Sequence, residues 1–386
     1  MSGSPDQLKR SPDTGAAAPV AAPVAPRAQK EQPALRPHRP ALPSFTTIGL
    51  KLVGLGPFLF LLLLWVVLSI ESPYFFTTLN VTNLLQASSI VAVLAVGQFL
   101  IILTGAIDLS AGAVVALCTV IGAQLSHTLT HNGLVIVAIM LATGIAVGIV
   151  NATIIEPLRL ASPFVVTLGT MSIASGAAFV ISGGATVTGL PPLIDHIGSN
   201  SVAGIPAAAL VVAGFAVVVA ALTSRLRWGR WIYAIGGNRE AAERVGIPAR
   251  RVAMSVFVIG GFAAGLAGII QAGLTDSGQG AASFTAELDA ISAVVIGGAS
   301  LQGGRGTLSG TLVGALILGT IHNGLNLLSV DTNWEPIVLG VVLLLALGTD
   351  FMRVRLESRL RLREARQLEV ESDNAVPESG RSTVAA

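Results

Sequence analysis

Charge is scarce in this sequence. Asp, Glu, Lys and Arg make up only 11% of its 386 residues, against about 25% in soluble globular domains. That deficit excludes an ordinary water-soluble protein, and no nucleic-acid partner is expected. The one cysteine, Cys118, excludes a disulfide framework and a cysteine-based metal site. No G-x4-G-K-[ST] loop is present to cradle nucleotide phosphates. The glycine-rich run GGRGTLSG (303–310) lacks the necessary lysine–hydroxyl pair and reads as a tight turn at a helix boundary. With no nucleophile–base pair, metal constellation or cofactor loop, the chain reads as a non-enzyme with no cofactor of its own. Residues 1–44, rich in Ala and Pro, hold no apolar run of signal-peptide length and read as a disordered tail. Residues 353–386 make a second polar tail, leaving 45–352 as the membrane domain.

What the chain does have is apolar length. Hydrophobic residues are 52% of the total and glycines number 43. Apolar stretches fall at about 53–70, 84–104, 109–126, 133–155, 163–182, 203–222, 252–274, 288–300, 307–328 and 335–349. Crossing a hydrocarbon core of about 30 Å takes roughly 20 residues of helix. Eight of the ten stretches reach or approach that length; 288–300 and 335–349 are short and read as re-entrant, broken or tilted.

The basic residues set an orientation. Seven of the 23 Lys and Arg lie in 1–51, Arg159 stands alone, seven lie in 225–251, Arg305 stands alone, and seven follow residue 352. The intervening loops, 71–83, 127–132, 183–202, 275–287 and 329–334, hold Glu71, Asp195, Asp276, Glu287 and Asp331 but no Lys or Arg. Ten crossings with both termini in the cytoplasm put every basic residue inside, as the positive-inside rule requires. The fold class is therefore an all-α polytopic membrane protein of about ten helices. Its basic N-terminal segment also favours anionic membrane lipid.

The largest internal cytoplasmic loop, 224–251, carries local helix signals. Asn238 suits an N-cap, Glu240 sits in the first turn and pairs at i,i+4 with Arg244, Gly246 suits the stop, and Pro248 blocks continuation. These signals bracket a helix of about 8 residues, too short to persist alone. Two readings remain open, a plain topogenic loop and a docking helix held between the membrane body and a partner.

The pattern Gly229-x4-Ala234-Ile235-Gly236-x-Asn238-x2-Ala241-Ala242-x3-Gly246-Ile247 resembles the cytoplasmic coupling segment of ABC-transporter permeases of the ribose type. TGAIDLSAGA (104–113) and the segment 287–328, beginning ELDAISAVVIGG, are similar to two further stretches of that family. The likeness runs from about residue 50 to 350. It implies a type II ABC-importer-like permease in a bacterial cell membrane, carrying a monosaccharide or related small neutral solute. It further implies a separate ATPase subunit, which binds the ATP, an extracytoplasmic solute-binding protein, and a second permease copy or paralogue. Gly236, Asn238, Glu240, Ala241, Ala242, Arg244 and Gly246 would make the ATPase contact. Ala106, Arg305 and His322 depart from the family pattern, standing where glycine, lysine and asparagine are common.

Candidates for the translocation path are Asp108, Gln98, His322, Asn323 and Asn326, polar groups in or beside apolar stretches. Asp108 also reads as an acidic cap on the span that follows it. Asn323 and Asn326, three apart, share a helical face and form a polar strip with His322. Each amide equally suits helix–helix bonding. Gly261-x3-Gly265 and Gly310-x3-Gly314 read as close-packing faces. The competing readings are an ABC permease for branched-chain amino acids or another small solute, and an ion-coupled secondary transporter. The latter usually hides charge at the midplane, whereas the acids here fall near span ends, Asp289 included.

Overall fold

The computed structural model describes residues 55–158, 163–282 and 285–348, together with Arg355. The predicted N-terminal tail, Arg159 and all of the predicted C-terminal tail except Arg355 lie outside them. Each apolar stretch read from the sequence is a helix. In chain order these are α1 (Gly56–Glu71), α2 (Thr78–Leu103), α3 (Ala111–Thr128), α4 (Gly133–Leu158), α5 (Pro163–Ser182), α7 (Ala207–Arg225), α10 (Ala249–Thr275), α11 (Ala286–Ile296), α12 (Leu308–Leu327) and α13 (Glu335–Gly348). Between them lie three shorter helices, α6 (Pro192–Gly198), α8 (Arg227–Gly237) and α9 (Arg239–Arg244). Seven (α2, α3, α4, α5, α7, α10, α12) are long and apolar enough to cross a membrane. The sequence allows eight; α1, with 16 described residues, joins α11 and α13 among the short ones.

The helical form follows from the solvent. Inside a bilayer a backbone N–H or C=O has no water to bond, and a helix satisfies every such group within its own segment. Polar caps start two of the spans. Thr77 accepts from Asn80 N at 3.3 Å ahead of α2, and Thr307 from Gly310 N at 3.1 Å ahead of α12.

Burial separates a core from a rim. The most apolar window of α2 is 78% buried and those of α3 and α10 are nearly so, whereas α4, α5 and α7 bury about a fifth of theirs. α10 packs on α4, α2 and α3, and α2 also packs on α12 and α11. The rim helices turn residues such as Val180, Ile173 and Val217 outward, as lipid-facing helices do.

Glycine permits the tightest of these contacts. A Cβ at Gly261 or Gly144 would overlap the other's backbone, and Gly148 and Gly265 continue the α4–α10 seam. On the α11–α12 side, Gly310 and Gly314 face the backbone of Gly297 and Ala293. Both small-xxx-small patterns of the sequence are therefore packing faces.

Loops that the charge pattern assigns to one side touch one another. Strand β1 (Val187–Thr188) pairs antiparallel with β4 (Ser277–Gly278), and His127 Nε2 lies 2.6 Å from Thr188 O. A small hairpin, β2 (Ser201–Val202) with β3 (Ile205–Pro206), completes that end. Loops assigned to the other side likewise meet. Gly304 N donates to Leu103 O at 2.9 Å, and Tyr233 OH donates to Gly306 O at 3.0 Å.

Candidate functional site

The 224–251 loop is an ordered three-part structure. α8 is amphipathic, with Ile232 and Ile235 buried and Arg227 and Arg230 exposed. Its C-terminal end meets the body through Gly236, where a Cβ would overlap Leu103 O and Gly304 N. Asn238 then breaks the helix in extended backbone (φ −163°, ψ 104°) and caps α9, its Oδ1 accepting from Ala241 N at 2.9 Å.

α9 is six residues long, two fewer than the sequence signals suggest, because the chain leaves the helix at Val245. There Gly246 takes φ +85°, Gly246 N donates to Glu243 O, and Ile247 N donates to Ala242 O. This double closure satisfies the last carbonyls and needs a left-handed residue, which glycine supplies without strain. Pro248 then stands immediately ahead of α10.

A half-buried ion pair ties α9 to the membrane body. The Arg239 guanidinium grips the Glu156 carboxylate at the end of α4 through two bonds, 3.1 and 2.5 Å, and donates from Nε to Glu243 at 3.3 Å. The Glu156 side chain is 4% exposed and that of Arg239 is 42%. Hydrogen bonding to Glu156 raises the Arg239 pKa above its ordinary value, so the cation persists throughout the physiological range. The outward face of α9 is Glu240, Ala241, Arg244 and Val245, with Ala242 turned inward. Glu240 and Arg244 pair at 3.5 Å with side chains more than 80% exposed, which contributes about 0.5 kcal/mol at most. Beside α9 a cavity of about 320 Å³ opens between Thr104, Glu156, Arg239, Glu243 and Phe257.

Neither Arg239, Glu156 nor Val245 stands among the sequence candidates. The pair spans 83 residues, and nothing in one sequence links such positions. Val245, 77% exposed, could have been found as an apolar residue on the outward side of a capped helix.

The path candidates are scattered. Gln98 and Asp108 come together in a buried network. Gln98 Nε2 donates to Asp108 O, Asp108 Oδ1 accepts from Ser110 N (2.8 Å) and Oγ (2.6 Å), and Ser110 Oγ accepts from Asn151 Nδ2 (3.0 Å). Thr170 closes the chain by donating to Asn151 Oδ1 at 2.6 Å. Asp108 thus lies two residues ahead of Ser110, the N-cap of α3, and stabilises that turn instead of capping the helix itself. His322, Asn323 and Asn326 turn to different neighbours. His322 Nε2 lies 3.0 Å from Glu335 Oε1 of α13 but is not aligned for a hydrogen bond. Asn323 exchanges amide bonds with Asn80 of α2, at 2.8 and 3.0 Å, and Asn326 is exposed.

The reciprocal amide pair yields a test. Asn80→Leu leaves the Asn323 amide unpaired and is expected to cost about 1–2 kcal/mol, with Asn80→Leu/Asn323→Leu costing less than the two single changes together. Thermal unfolding in mild detergent measures all three variants. Simple additivity would mean that the amides bond independently.

Comparison with known proteins places this geometry. Residues 80–347 match the family described as "Branched-chain amino acid transport system / permease component". The ribose import permease protein RbsC of Escherichia coli (strain K12) is 40% identical over 75% of this chain and 91% of its own length. RbsC of Bacillus subtilis (strain 168) is 39% identical over 77% and 92%, and the D-allose transport system permease protein AlsC of Escherichia coli (strain K12) 36% over 73% and 86%. No solved structure matches. With most of its membrane domain matched by that family model, the chain belongs to the branched-chain amino acid transport system / permease component family, as a multi-pass transport component of the membrane and not an enzyme.

Proposed function

We propose that this chain forms the translocation pathway of an ATP-driven importer for a monosaccharide, ribose and its close relatives foremost. The 40% identity to a ribose import permease, over 91% of that protein, carries the reading. The family description names branched-chain amino acids, but permeases named for ribose, allose, arabinose and fructose match over most of their length. In this reading an ATPase subunit supplies the energy and an extracytoplasmic binding protein delivers the sugar. Two permeases, identical or paralogous, pair around the pathway. All ten apolar helices cross, with both termini and the 224–251 loop in the cytoplasm of a bacterial inner membrane. The outward face of α9, Glu240, Ala241, Arg244 and Val245, meets the ATPase, and Gly236, Asn238, Ala242 and Gly246 hold it in place. Gln98, Asp108, His322, Asn323 and Asn326 remain the path candidates. No cofactor binds this chain.

Uptake of labelled ribose, xylose, arabinose, allose, fructose and leucine into vesicles carrying the whole transporter tests this. The expected result is ATP-dependent uptake of a sugar, lost when α9 carries Glu240→Arg and Ala241→Asp. Leucine uptake would favour the amino-acid reading. Uptake driven by a proton or sodium gradient without ATP would sink the ABC assignment.

A further inference from the structure

The elbow between α7 and α8 carries Arg225, Leu226 and Arg227, with Arg230 one turn on. All three arginines are exposed, and none has an ion-pair partner among the described residues. α8 itself, RWGRWIYAIGG, contains no acidic residue. Arg227 and Arg230, three apart, share its outward face.

Two observations set this row against lipid. α7 is the least buried of the seven long spans, with only 17% of its most apolar window covered by protein. Its basic end therefore emerges into the ring of lipid around the molecule, and Leu226, 49% exposed, stands between the charges. α8 also packs one face on the protein body and turns its arginines outward, with two tryptophans partly open beside them. Ile232 and Ile235 are buried, Trp228 and Trp231 are half-buried, and the Trp228 indole donates to Ser255 Oγ of α10 at 2.8 Å. Tryptophan at headgroup level beside arginine is the usual composition of a membrane-interface belt. Planar guanidinium groups bind phosphate oxygens through two parallel bonds.

We propose that this elbow is a binding site for the phosphate of an anionic phospholipid, with Arg225, Arg227 and Arg230 as its ligands and Leu226 set among the acyl chains. The site orients α8, and through it the Asn238 cap and α9. Its place in the cytoplasmic leaflet rests on the topology proposed above, but binding itself does not. Vesicles with the anionic lipid in both leaflets therefore report on the site whichever way the chain faces, and without transport.

The test uses the full-length chain in such vesicles, with dibrominated phosphatidylglycerol or dibrominated phosphatidylcholine as quencher of tryptophan fluorescence. One basic residue near an anionic surface is worth about fivefold in association, so three should give a preference for phosphatidylglycerol on the order of tenfold or more. That preference should vanish in Arg225→Gln/Arg227→Gln/Arg230→Gln and persist in Arg250→Gln/Arg251→Gln, which removes charge elsewhere in the same loop. Equal quenching by the two lipids overturns the proposal, as does a preference that survives the triple change. Equal loss in the control pair would reveal a diffuse field and no site. A preference erased by inorganic phosphate, but not by chloride at the same ionic strength, would assign the arginines to a free anion. Capture of the ATPase subunit lost in the triple variant, with lipid preference intact, would assign them to that subunit.

Discussion

Arg239→Met is expected to destabilise the protein by about 2–3 kcal/mol. Breaking a fully buried ion pair costs about 3–5 kcal/mol, because the charge left behind has no compensation. Glu156 is nearly closed to solvent, but the Arg239 side chain is 42% exposed, and solvent screening lowers the figure. The reverse change should be milder. Glu156→Gln leaves a guanidinium that retains water and Glu243, and costs about 1 kcal/mol. Arg239→Met/Glu156→Met removes both charges for side chains of similar length and should recover most of the lost stability. Unfolding in detergent measures the three together. Equal losses from the two single changes would show that Glu156 is not the desolvated partner.

The double variant separates folding from transport. A six-residue helix cannot hold itself in water, and the exposed Glu240–Arg244 pair adds little. Beside the buried Ala242, three polar or backbone anchors therefore fix α9: the Asn238 cap, the Gly246 closure and the Arg239 grip on α4. Of these, only the grip reaches a long membrane helix. If α9 meets the ATPase, the Met/Met protein should still bind that subunit through its outward face yet import poorly, since closure would move α9 without moving α4. Normal import by a stably folded Met/Met protein would show that force enters the bundle by another route, the Gly236 contact with α2 being next in line.

How much of this was legible beforehand depends on distance along the chain. The ten apolar stretches became ten helices because length and hydropathy are local quantities, and a bilayer allows few other answers. Asn238, Glu240, Gly246 and Pro248 foretold the cap, first turn and stop of α9 because each acts within four residues. The Asn323 pairing with Asn80, the Arg239 pairing with Glu156 and the bond from Tyr233 to Gly306 were not legible, since each joins segments 73 or more residues apart. The separate neighbours of His322, Asn323 and Asn326 were not legible either, for the same reason. Helical spacing places side chains on a face, but the neighbouring helices decide what each one meets.

Gly261→Val should be among the most damaging single changes in the membrane domain, a loss of at least about 3 kcal/mol and of most folded protein. A Cβ there would overlap Gly144 O and crowd Gly148 Cα, while a Cβ at Gly144 would overlap Gly261 O. The clash is backbone against backbone, so no rotamer relieves it, and α4 and α10 would have to part along the seam that joins rim to core. Overpacking a well-fitted core with one or two methylenes costs about 1–3 kcal/mol; here three carbons enter where none fits. Gly169→Ala and Gly176→Ala in α5 are the matched controls, since a Cβ at either meets nothing within 4 Å. Both should be neutral or stabilising by up to about 1 kcal/mol, through the lower backbone entropy of alanine in a helix. Thermal midpoints in detergent, with the yield of monodisperse protein, decide the comparison. A Gly261→Val protein that unfolds at the native midpoint would show that α4 and α10 separate freely. The seam would then be no fixed contact between rim and core, and the grip of Arg239 on Glu156 could not carry movement of α9 into the central helices.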